Sequence, residues 1–146
     1  MIDLGALTEL LIAELGAVEG LLVGDGIAPM DGGWLQGQPN QSVFRPYVVL
    51  SSQGASPREN TPWTGTDPAW AVTWSLKHFA GSRKQLDWAA LQARAAVHGI
   101  TKTTFGVDVY KVHALEWSSL GSINRIDSVD PPFWQAFDTF TLVCSR

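Results

Sequence analysis

Leu4, Leu7, Leu11, Leu15 and Val18 recur at intervals of three and four and so trace one stripe of a helix over residues 4–18. Asp3 stands where the positive end of that helix dipole favours an acid, and Gly20 is the expected stop. Residues 20–35 mix a short apolar run with the turn clusters Gly24-Asp25-Gly26 and Asp31-Gly32-Gly33, which predicts two short strands or extended pieces. Residues 45–52 read RPYVVLSS, a β-branched and aromatic run with turn-prone ends, and predict a strand. The clearest strand covers 70–79, where Trp70, Val72, Trp74 and Leu76 alternate with Ala71, Thr73, Ser75 and Lys77. Burying each of those four apolar side chains stabilises by roughly 1.5 to 3 kcal/mol, so this strand is expected to anchor the fold.

Between the two strands, residues 53–69 carry Pro57, Pro62 and Pro68 with Gly54 and Gly65, a composition read as one long loop. Ser82 is a suitable N-cap for a second helix ending near His98, with Gly99 expected in the left-handed conformation that closes helices. Its Leu86, Ala89, Ala90, Ala93 and Val97 share a narrow face suited to close packing on a sheet. Strands are expected at 107–117 and, shorter, at 123–129. After Pro131-Pro132 a closing strand at 133–145 sends Trp134, Ala136, Phe140, Leu142 and Cys144 to one side, and Phe133, Phe137 and Val143 to the other. This order predicts one α+β domain over residues 1–146, with two helices on one face of a mixed or antiparallel sheet of roughly four to six strands.

Composition adds a hint of association. At 146 residues a real core is available, yet only 16% of residues are charged, against about 25% in an ordinary soluble domain. With seven Trp and six Phe, that leaves two readings open, a large aromatic core or apolar area exposed for a partner. Trp63, in the middle of the long loop, favours a segment ordered against a partner. The net charge of −4 and the scattered Lys and Arg residues argue against direct nucleic-acid binding. The single Cys144 allows no internal disulfide, acids stand where a signal peptide would be basic, and no apolar run approaches the length of a membrane span. The protein is therefore expected in the cytoplasm where it is made, away from membranes.

No chemistry stands out. His78, His98 and His113 fall in no metal-ligand spacing, and His78 is expected on the buried face of its strand as a satisfied core or boundary histidine. No phosphate loop, dinucleotide loop or nucleophile elbow occurs, and Asp127, Asp130 and Asp138 read as surface acids. Glu116 and Asp127 could meet only by folding. No catalytic, cofactor or metal site is expected. The alternative to an assembly protein is a small-molecule-binding or enzymatic α+β domain lined by Trp74, Trp117 and His113.

The amphipathic first helix, the PYVVLSS strand, the polar loop, the WAVTWSLKHFAGSRKQLDWAALQARAAV unit and the closing RIDSVDPPFWQAFDTFTLVCS segment together resemble the tail terminator proteins of long-tailed bacteriophages. The resemblance covers nearly the whole chain and rests on element order and character. It implies a homohexameric ring at the head-proximal end of the virion tail, whose partners are its own copies, the tail tube protein and the head–tail connector or neck proteins. Another phage neck or head-completion protein would share that logic. The expected assembly contacts are Arg58, Glu59 and Trp63 in the loop, and Arg125, Asp127, Asp130 and Trp134 near the C-terminus.

Overall fold

The computed structural model describes residues 2–34, 43–57, 69–105, 110–119, 123–128 and 131–145. Asp3 begins the first element by accepting a hydrogen bond from the Ala6 amide at 2.9 Å, a side-chain cap for helix α1 (Leu4–Gly16). The helix buries Leu7, Leu11 and Leu15 and ends two residues before the apolar stripe does. Val18 continues the stripe from the following turn, where its carbonyl accepts from Leu21, so periodicity alone overran the helix. Strand β1 (Leu22–Asp25) follows, then a two-stranded ribbon of β2 (Gly33–Trp34) and β3 (Phe44–Arg45).

Strand β4 (Tyr47–Pro57) is longer than its sequence suggests. Residues 53–57, expected in the loop, continue the strand, and 54–57 pair with β5 (Trp70–Ala80) past a bulge between Ser52 and Gly54. Gly54 sits at φ 108°, a conformation closed to most side chains, and lets the strand absorb the extra residue and continue. Helix α2 (Arg83–Gly99) starts as expected, with Ser82 Oγ accepting from the Gln85 amide at 3.2 Å. Gly99 is not left-handed: at φ −59° it passes the chain into a 3-10 turn, Ile100–Lys102, that carries Ile100 into the core. The short β6 (Thr104–Phe105), then β7 (Tyr110–Ser119), β8 (Asn124–Ile126) and β9 (Phe133–Ser145) complete the chain.

Among the described residues the main sheet has seven strands rather than four to six, in the order β1-β4-β5-β9-β7-β6, with β8 pairing the start of β9. Among the described pairings, β1 with β4 is the one that is parallel. Both helices pack on one face, as the alternation predicted: α1 and α2 meet Val48 and Leu50 of β4, Val72, Trp74 and Leu76 of β5, and Phe140, Leu142 and Cys144 of β9 in one core. Among the described residues, no helix is long and apolar enough to cross a membrane.

Candidate functional site

Each face of the sheet carries an aromatic row, and the two rows differ in how they are covered. On the helix side, Trp74 stacks on Phe140 at 5.6 Å between ring centroids, and Phe140 stacks on Trp117 at 5.2 Å. These three residues pair across β5, β9 and β7, so the register itself sets the stack. The Arg94 guanidinium lies over the Trp117 ring at 5.1 Å and donates to Ser119 Oγ at 3.5 Å. Trp74 and Trp117 thus both stack on Phe140, and His113 is exposed.

His78 lies on this buried face, as its place in the alternation predicts, and Nε2 donates to Asp138 Oδ2 at 2.9 Å. Asp138 is thus not the surface acid its sequence context implied. It is buried, because β9 places it on the core face beside β5. Burial pushes its pKa up, but the hydrogen bond and charge of His78, a hydrogen bond from Ser119 and the charge of Arg94 together hold it below the ordinary 3.8. The order is serine, carboxylate, imidazole, with the carboxylate in the middle. A nucleophilic triad needs the imidazole against the hydroxyl, so His78 has no access to the Ser119 proton. Among the described residues, no group of three or more His, Cys, Asp and Glu side chains converges in a way that would hold a metal ion.

The opposite face has no described helix over it. Tyr47 stacks on Phe79 at 4.7 Å, Phe79 reaches Phe133 at 6.0 Å, and Lys77 stands over Phe137 at 5.5 Å. All of these aromatic rings are only half-buried. The ribbon closes one end of the row, with Phe44 stacked on Tyr47 and Trp34 set edge-on against Phe44. Partial burial raises the pKa of the Tyr47 phenol. Gln85 fastens the ribbon to α2 by accepting from the Gly81 amide at 2.9 Å and donating to the Phe44 carbonyl at 3.0 Å. Gly81 must be glycine for this approach, since a Cβ there would lie 2.5 Å from Phe44 Cβ. Ile27 and Met30, on the chain leading into the ribbon, and Val43, just before β3, are exposed apolar side chains.

Of the residues expected to carry assembly, Arg125 and Asp127 form an ion pair at 3.0 Å, both well exposed. Arg125 stands directly across from Trp134 in the β8–β9 register, so these three gather at one end of the sheet, with Trp134 half-buried on the helix side opposite Ala80. An exposed pair of this kind contributes about 0 to 1 kcal/mol to stability. Arg58, Glu59, Trp63 and Asp130 lie outside the described residues. Sequence reasoning missed the outward stripe of α2, where Trp88 and Leu91 are exposed. Their spacing of three, offset from the buried Leu86 and Ala89, was the available signal. A scan against protein-family models gives no match, and a comparison with curated proteins finds none that is similar.

Proposed function

We propose that this chain is a structural virion assembly protein: a tail terminator that forms a ring on the tail tube of a long-tailed bacteriophage, ends tube polymerisation and presents the joint to the head. One observation carries the reading most. Among the described residues, helices cover one face of the sheet, and its other face offers a half-buried aromatic row without a described helix above it. A monomer that leaves such a row in water gains by covering it against a neighbour. The second support is the resemblance to that family noted in the sequence, from the first helix to the closing strand. Arg125, Asp127 and Trp134, gathered at one end of the sheet, are proposed to touch the tube or the neck.

The test adds the purified protein to polymerising tail tube subunits and measures tube lengths and ends by electron microscopy. Capped tubes with arrested growth are the expected result. Unchanged tube growth, with the protein bound instead to purified portal rings, would replace this reading with that of a neck component.

A further inference from the structure

The register exposes a relation between two distant edges. Pro57 of β4 pairs with Trp70, Trp70 with Cys144, and Cys144 with Val112 of β7. At the other end of the same stretch, Ser52 pairs with Trp74, Trp74 with Phe140, and Phe140 with Trp117. Residues 52–57 and 112–117 thus occupy the same rows of the sheet on opposite sides. β1 covers β4 only from Tyr47 to Leu50, and β6 covers β7 only at Tyr110 and Lys111. Among the described residues, no strand lies beyond either segment over those shared rows.

β4, β5, β9 and β7 alternate in direction, so β4 and β7 run opposite ways. A second copy set beside the first without being inverted therefore meets β4 with β7 in the antiparallel sense.

We propose that the occupant of both edges is another copy of this chain: residues 112–117 of one protomer add to residues 52–57 of the next and continue the sheet from copy to copy. The contact is heterologous, since each copy offers one edge of each kind, and such contacts close into rings or extend without limit. Main-chain hydrogen bonds supply the attachment, as in any strand added to a sheet edge. This inference rests on the ring reading and names its subunit contact.

Cysteine cross-linking in the full-length protein tests it. Ser56→Cys is combined with Ala114→Cys, which shares its row and face through Ala71 and Val143, or with Glu116→Cys, the next position on that face, all three at exposed positions. Within one chain the two cysteines stand three strand spacings apart, about 14 Å, too far for a disulfide. The native Cys144 stays silent, because it is buried and its thiol pKa is pushed up to about 12. Mild oxidation is expected to give a ladder of covalent multimers from at least one double variant, and nothing above a dimer from any single variant. A ring by light scattering with no ladder from either pair overturns the edge contact and leaves the ring standing. Efficient dimers from the single variants show like edges meeting, which also overturns it. A protein monomeric at every concentration removes both readings.

Discussion

Asp138 shows how a single buried residue can evade a reading from sequence. The alternation along 70–79 placed Trp74 and His78 on the core face correctly, because period two is a local property. The same alternation in β9 also puts Asp138 there, but its partner His78 lies 60 residues away in sequence, and only strand pairing reveals it. With a folded pKa below 3.8, the Asp138 interactions stabilise fully above the unfolded value of about 3.9 and are lost as pH falls through the lower folded value. Asp138→Asn removes the charge facing His78 and Arg94, and is expected to cost about 1 to 3 kcal/mol at neutral pH. Urea unfolding of both proteins from neutral pH down to about pH 2 should show the gap between them narrowing in acid. A gap independent of pH would mean that the carboxylate's charge contributes nothing.

At the scale of elements, helices and strands were legible where a long periodic run met a matching cap or turn. α2 and β9 follow that rule, as Ser82 and Pro131-Pro132 mark their starts. Errors fell where a glycine adopted a role that composition does not show. Gly54 extends β4 through a bulge instead of opening a loop, and Gly99 stays helical. Gly81 was not singled out at all, because the close approach of Phe44 depends on the ribbon folding back onto α2. These positions make a paired prediction. Gly81→Ala forces Phe44 and Trp34 away and should destabilise by about 1 to 3 kcal/mol, whereas Gly99→Ala meets nothing within 4 Å and should be neutral or stabilise by about 0.4 to 1 kcal/mol. Equal urea midpoints for the two variants would mean that the ribbon is not held against Gly81.

For the whole molecule, the low proportion of charged residues and the many aromatic rings are explained by division between two faces. Trp74, Phe140 and Trp117 fill the helix side, and Tyr47, Phe79, Phe133 and Phe137 line the side that no described helix covers. The aromatic residues are thus divided between a large core and a half-buried face. Element order could be read from the chain, and so could the nearness of Arg125, Asp127 and Trp134 to one another, since they flank the turn at Pro131-Pro132. The alignment of the β4 and β7 edges could not, because it is a product of three successive strand pairings.

The central claim is that copies of this chain assemble, and the mass in solution addresses it directly. Light scattering across a wide concentration range, with negative-stain imaging of the largest species, is expected to give a closed six-fold ring at six times the 15.9 kDa of one chain. A mass of one chain at every concentration, with no ring in the images, would contradict the account.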